Sequence, residues 1–93
     1  MKTLVINAGS SSLKFTLFAM PDRLVLARGL VERIGLSEPR LHFEGRDGNR
    51  IAIDVDVSDH NQALALVCEN LVHPAHGVIR QLTEVDVVGH RVA

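Results

Sequence analysis

Apolar residues alternate with polar ones along several short stretches of the chain, which is the period of β-strands with one buried face. In residues 13–18 the apolar residues occupy every second position: Leu13, Phe15 and Leu17. A shorter apolar stretch, residues 4–6, comes earlier, and a polar segment, residues 7–12, separates the two. The pattern predicts an N-terminal hairpin whose tip carries the polar segment.

Three further stretches extend the predicted sheet. Residues 23–31 carry three leucines on one parity, which predicts a third strand with one leucine-lined face: Leu24, Leu26 and Leu30. This strand follows residues 20–22, where a proline favours a bend. Residues 41–44 and 51–57 flank a polar segment that contains Asp-Gly, a strong hairpin signal. We therefore expect a three-stranded meander followed by a peripheral hairpin.

The period changes after residue 58. Apolar residues then recur every three or four positions, which predicts a helix with one core-facing stripe: Leu64, Val67, Cys68 and Leu71. Ser58 can cap this helix, and the charge of Asp59 suits the positive N-terminal end. Residues 85–88 are mostly valine, which predicts a buried final strand. The predicted order is three strands, a hairpin, a helix and a last strand, an α/β arrangement.

The polar segment at the hairpin tip has residue types that suit a phosphate group. Gly9 permits close backbone approach, successive N–H groups in such turns form anion-binding nests, and Ser10, Ser12 and Lys14 add donors and charge. Asn7 offers a neutral oxygen for a phosphate or for a Mg²⁺-bound water. The same residue types also form ordinary solvated turns, and the P-loop spacing G-x-x-x-x-G-K is missing. Residue types alone leave phosphate binding and a plain hairpin turn both open.

Arg91 follows the last predicted strand, at the end of the sheet where ligands of open α/β folds collect. A guanidinium group can hold a carboxylate or phosphoryl group through two parallel hydrogen bonds, although a solvated surface role is the alternative. His90 is expected to pack or to support Arg91. The remaining histidines show no metal-ligand spacing, so surface or capping roles are preferred: His42, His60, His73 and His76.

Composition narrows the class of protein. The 93 residues form one small domain, and because aromatic residues make up only 3% of them, aliphatic side chains must fill its core. Ten basic and eleven acidic residues give a net charge of −1, which offers no electrostatic case for nucleic acid or for an anionic membrane surface. Cys68 has no partner for an internal disulfide, and no apolar run approaches the roughly 20 residues of a membrane span. We expect a soluble, cytoplasmic protein.

Two ordered blocks resemble the acetate kinase family. Residues 1–15 (MKTLVINAGSSSLKF) resemble the opening of acetate kinases and of their propionate and butyrate kinase relatives, and residues 88–92 (VGHRV) resemble a second block of that family. Residues 30–35 and 59–64 also resemble the family at comparable places. The resemblance implies a ribonuclease H-like half-domain of the superfamily that includes sugar kinases, actin and heat-shock chaperones. Because the family's chains are several times longer, it implies that residues 1–93 are the N-terminal part of the first such domain of a two-domain kinase, truncated after the fourth core strand.

The resemblance also implies a reaction, the reversible Mg²⁺-dependent transfer of the terminal phosphoryl group of ATP to acetate, which gives acetyl phosphate. It implies that Ser10, Ser12 and Lys14 contact ATP, that Asn7 lies at the Mg²⁺ ion and that Arg91 binds acetate or another short carboxylate. No certain catalytic residue lies within this segment, so the segment alone is expected to be inactive. The parent enzyme is expected to be a homodimer.

Other functions stay open at this point. Propionate or butyrate kinase activity is compatible with the same blocks, because the pocket that measures acyl length is expected beyond residue 93. A non-catalytic domain is a further alternative. A sugar kinase is disfavoured, since those enzymes usually begin with an Asp-x-Gly turn where this chain has Asn7, Ala8 and Gly9.

Overall fold

The computed structural model describes residues 1–92, and for residues 91 and 92 it describes the backbone alone. The strands, in chain order, are β1 Lys2–Ala8, β2 Leu13–Ala19, β3 Leu24–Glu32, β4 Arg40–Gly45, β5 Arg50–Asp54 and β6 Val87–Val92. Helix α1, His60–Leu71, lies between β5 and β6, and a 3₁₀-helix, Leu82–Glu84, precedes β6. This is the predicted element order.

The six strands form one mixed sheet in the order β5-β4-β3-β2-β1-β6. Neighbouring strands from β1 to β5 are antiparallel, whereas β6 runs parallel to β1 on its other side. The chain therefore crosses over through α1 and returns beside its first strand.

Helix α1 packs against one face of the sheet, near β2 and β3, and the core lies between them. The largest fully buried side chains come from both layers: Ile6, Phe15, Leu17, Val31, Leu41, Val67 and Leu71. On β2 the predicted alternation is confirmed, since its three apolar residues at odd positions are buried and Lys14 between them is exposed. The face of the sheet opposite α1 is called the open face below.

The predicted leucine face of β3 is wrong. The register between β2 and β3 shifts beside Leu26, which becomes an extra residue on β3, and both Leu26 and Ala27 are buried. Leu24 is 42% exposed. Because a bulge moves the residues on its two sides to opposite faces, three leucines of equal parity do not share one face here.

Strand β6 also differs from the prediction. It begins at Val87 instead of Val85, and Val87 and Val88 are 45% and 54% exposed. The prediction of a buried strand is wrong for this chain, because no described strand or helix covers these valines. The outer edge of β6 has no partner strand within residues 1–92.

The N-cap of α1 lies one residue later than predicted. The side chain of Asp59 is the N-cap and accepts a hydrogen bond of 2.8 Å from the Gln62 N–H, whereas the Ser58 hydroxyl contacts Gln62 Oε1 at 3.1 Å. Of the predicted stripe, two residues are buried and two are half-buried: Val67 and Leu71, then Leu64 and Cys68. Burial raises the pKa of the Cys68 thiol. No helix in the described part of the chain is long and apolar enough to cross a membrane.

Candidate functional site

The polar segment forms a tight turn between β1 and β2. The Gly9 N–H donates to the Ser12 carbonyl at 2.9 Å, and the Ser11 carbonyl accepts from the Ile34 N–H at 2.9 Å. A Cβ on residue 9 would lie 2.7 Å from Ser12 Oγ, so glycine leaves the room that this hydroxyl occupies. One hydrogen bond therefore closes the turn, and a second connects it to the segment that follows β3.

The amide groups of this turn are available to a ligand. Among the described residues, the backbone N–H groups of Ser10, Ser11 and Ser12 have no acceptor. Ser10 is exposed, and the two serines after it are half-buried. Backbone N–H groups left without internal partners are suited to bind an anion, because each one needs an acceptor that the fold does not supply.

The sheet register aligns the other predicted site residues. Asn7 on β1 pairs with Lys14 on β2 and with Arg91 on β6. Asn7 and Lys14 alternate with the buried Ile6 and Leu13, so they stand on the open face. Neighbouring strands lie about 5 Å apart, so the three positions span about 10 Å beside the turn. The side chain of Arg91 lies outside the described residues.

A groove of about 670 Å³ starts at Lys14 and crosses the open face toward β5. Glu44 in this groove accepts a 2.7 Å hydrogen bond from Arg28 Nε and a 3.3 Å one from Arg50 Nε. The hydrogen bond from Arg28, supported by Arg50 and partly offset by desolvation, lowers the pKa of the Glu44 carboxyl group. Two arginines contact this one carboxylate, so the groove wall extends the positive charge of Lys14 along the sheet and away from the turn.

A surface or capping role was expected for His60, and its contact with the turn was not predicted. Its ring is half-buried beneath the turn, with Nε2 2.7 Å from the Gly9 carbonyl oxygen and 3.1 Å from that of Ser12. No local signal could reveal this contact, because the partners are separated by 51 and 48 residues along the chain. His90, expected to pack or to support Arg91, is exposed among the described residues.

The metal-binding capacity of the site is limited to oxygen ligands. Within the described residues, no group of three or more His, Cys, Asp or Glu side chains is placed to hold a metal ion. Asn7 presents a neutral amide oxygen in the row with Lys14, and serine hydroxyls lie on the adjoining turn. Mg²⁺ carried by nucleotide phosphates keeps most of its water and needs only one or two protein oxygens. The residues present therefore fit Mg²⁺ that arrives with a nucleotide, and they form no all-protein metal cage.

Curated relatives and solved structures resemble this chain over nearly its whole length. The chain is 47% identical over 93 residues to the acetate kinase of Heliobacterium modesticaldum and 49% identical over 92 residues to that of Thermoanaerobacterium thermosaccharolyticum, in each case spanning 23% of the relative's length. The crystal structure of Porphyromonas gingivalis acetate kinase superposes with a TM-score of 0.92 at 37% identity, covering 96% of this chain and 22% of that one. A propionate kinase structure from Francisella tularensis superposes with a TM-score of 0.80 at 27% identity, covering 99% and 22%.

These likenesses agree with the fold and with the order of the two sequence blocks. The superpositions confirm the predicted mixed α/β half-domain. A model of the acetokinase family matches residues 2–93. With its N-terminal turn, its sheet order and nearly all of its residues matched, this chain belongs to the acetokinase family.

Proposed function

We propose that this chain is the N-terminal segment of an acetate kinase, which transfers the terminal phosphoryl group of ATP reversibly to acetate. A carboxylate oxygen of acetate attacks the γ-phosphorus and forms a new O–P bond. The bond between that phosphorus and the β,γ-bridging oxygen breaks, so the products are acetyl phosphate and ADP. Such transfer depends mainly on positioning and on stabilising charge on the equatorial phosphoryl oxygens.

The sheet register is the observation that carries this proposal. It brings Lys14, Asn7 and Arg91 into one row across three adjacent strands, beside a turn with three amides that have no partner among the described residues. In the proposed site, the amides and hydroxyls of Ser10 and Ser12 bind ATP phosphates and Lys14 adds a point charge. Arg91, about 10 Å from Lys14 across the row, binds the acetate carboxylate. The row thus places the two substrates side by side over the same edge of the sheet.

Mg²⁺ is part of this proposal. When bound with ATP, it neutralises charge on the phosphoryl oxygens. Asn7 is the residue proposed to contact the ion or one of its waters, because it carries an amide oxygen and the register places it between Lys14 and Arg91. The chain's own residues bind the two substrates on either side of Asn7.

Acetate is favoured over propionate as the acyl acceptor. The superposition is closer on the acetate kinase, with TM-scores of 0.92 against 0.80 and identities of 37% against 27%. Both acetate kinase relatives compared above are also more than 40% identical to this chain. Butyrate is kept as an alternative acceptor for the test below.

The proposal extends to the rest of the molecule. We propose that residues 1–93 form the N-terminal part of the first ribonuclease H-like domain of a two-domain, homodimeric, cytoplasmic enzyme that binds neither nucleic acid nor membranes. The chain spans only 23% of the length of the acetate kinases it matches, which supports a larger parent. The exposed valines of β6, and its outer edge without a partner strand in residues 1–92, also suit a sheet with further strands in the parent protein.

Hydroxamate trapping of acyl phosphate tests the function. The full-length protein that contains this segment is incubated with MgATP and with acetate, propionate or butyrate in parallel. We expect the highest kcat/KM with acetate and no turnover without Mg²⁺. Equal turnover of all three acids contradicts the acetate assignment, and turnover of none of them contradicts the kinase assignment.

A further inference from the structure

The imidazole of His60 connects helix α1 to the turn of residues 9–12. His60 is the first residue of α1, and its Nε2 lies 2.7 Å from the Gly9 carbonyl oxygen and 3.1 Å from the Ser12 carbonyl oxygen. Carbonyl oxygens can only accept hydrogen bonds, so Nε2 carries a hydrogen and donates it. One N–H group of the ring is therefore shared between the first and last residues of the turn.

The start of α1 holds this ring in place. Asp59 accepts from the Gln62 N–H at 2.8 Å, and Gln62 Oε1 accepts in return from the Ser58 N–H at 2.8 Å. These reciprocal bonds order the backbone on both sides of His60, and the ring itself is half-buried. The donor thus reaches the turn from an ordered helix end, where little side-chain freedom remains to be lost.

The contacts with His60 and Ile34 determine which way the turn amides point. In a planar trans peptide, the C=O and N–H groups point in opposite directions. The Gly9 carbonyl points at His60, so the N–H of Ser10 in the same peptide group points away from His60. The Ser11 carbonyl likewise points at the Ile34 N–H, so the N–H of Ser12 points away from Ile34. His60 and Ile34 thus hold the carbonyl groups of the turn, and the amide N–H groups of Ser10 and Ser12 face away from them.

We propose that His60 is a positioning residue for the phosphate-binding turn, an inference that rests on the function proposed above. Without its N–H, the Gly9 and Ser12 carbonyls lose a shared donor, and the peptide between Gly9 and Ser10 can rotate. The Ser10 amide then no longer points to the nucleotide phosphates. The position of Arg91 is set separately, since the parallel pairing of β6 with β1 places its backbone opposite Asn7. Loss of His60 therefore impairs use of the nucleotide more than use of the acid.

Kinetics of His60 variants test this asymmetry in the full-length protein that contains this segment. We expect His60→Ala to raise the KM for MgATP about tenfold, as for the loss of one hydrogen bond, and to change the KM for acetate by less than about twofold. His60→Gln keeps an N–H donor at a similar reach and should restore most of the affinity for the nucleotide. His73→Ala is the matched control, since His73 is exposed and contacts Ala75 instead of the turn.

A second measurement does not depend on activity. In protein labelled with ¹⁵N-serine, the amide resonances of the turn serines should shift in His60→Ala and return toward their wild-type positions in His60→Gln. Thermal unfolding establishes that each variant is folded. Unshifted serine resonances, equal KM changes for both substrates, or a folded His60→Gln as impaired as His60→Ala would each overturn the positioning role. A wild type without kinase activity overturns the proposed function alone, and the serine resonances then decide the role of His60.

Discussion

Gly29 lies where three strands meet, and we expect its replacement by alanine to destabilise the sheet strongly. It pairs with Phe15 on β2 and with Phe43 on β4. A Cβ at this position would clash with the His42 carbonyl oxygen and would lie 2.7 Å from two carbon atoms of the Phe15 ring. Neither neighbour can turn aside, because the oxygen belongs to the backbone of β4 and the ring is 0% exposed. The strands themselves must separate to admit the methyl group.

The expected cost follows from these contacts. Overpacking a rigid core costs about 1–3 kcal/mol, and contact with a backbone oxygen puts Gly29→Ala near 3 kcal/mol. Alanine also lowers the conformational entropy of the unfolded chain, which offsets about 0.4–1 kcal/mol of the overpacking cost. A net loss of about 2–3 kcal/mol is a large part of the roughly 5–14 kcal/mol expected for a domain of this size. It corresponds to a fall in Tm of about 10–20 °C.

Circular dichroism during thermal unfolding measures the effect, with Gly89→Ala as the matched control. Gly89 is also a strand glycine, but a Cβ there meets no atom within 4 Å in the described structure. We expect the control to unfold within about 1 kcal/mol of wild type. A Gly29→Ala variant as stable as Gly89→Ala would refute the packing of Phe15 over Gly29 and the register of β3 with β4.

Three further predictions concern the site and its surroundings. Lys14→Ala in the full-length protein should lower kcat/KM for ATP by about ten- to a hundredfold, the worth of one charge-assisted contact, and an unchanged value removes Lys14 from the site. Arg91→Lys should impair acetate more than ATP in steady-state kinetics, because charge is kept and the bidentate fork is lost; equal effects on both substrates contradict carboxylate binding. His76 has its pKa lowered below 6.5 by desolvation and by the nearby His73, so the folded state disfavours its protonation. The stability contributed by neutral His76 is complete above the unfolded-state pKa of 6.5 and is lost as pH falls through the folded-state pKa. Tm should therefore fall less between pH 7 and pH 5 in His76→Gln than in wild type. Equal slopes of Tm against pH in the two proteins would show that other groups cause the fall.

Local patterns in the sequence were sufficient for the elements and for most of the proposed site. The alternation on β2 predicted its buried face, because the extra residue of the β2–β3 bulge lies on β3 and the two-residue period of β2 itself is kept around Phe15. The order of elements was also readable, since turn residues and changes of period mark each boundary. Asn7, Ser10, Ser12 and Lys14 were recognised as candidates because they are contiguous and because the segment resembles a known family.

The tertiary structure decided what depends on pairing between distant segments. The bulge at Leu26 is a property of the β2–β3 pair, so the parity of β3 alone predicted the wrong face. Burial of Val88 depends on what covers β6, and its valine-rich sequence is the same whether that strand is central or at an edge.

The register and the support of the turn were beyond any local pattern. Asn7 and Arg91 are 84 positions apart, and only the parallel pairing of β1 with β6 sets them side by side. His60 reaches the turn because α1 begins beside the tip of the β1–β2 hairpin, a contact that leaves no periodic signal in the chain. Sequence by itself determined the elements and the chemistry of the turn, because these depend on neighbouring residues; the tertiary structure decided faces, edges and the orientation of the amides, because these depend on contacts between residues far apart in the chain.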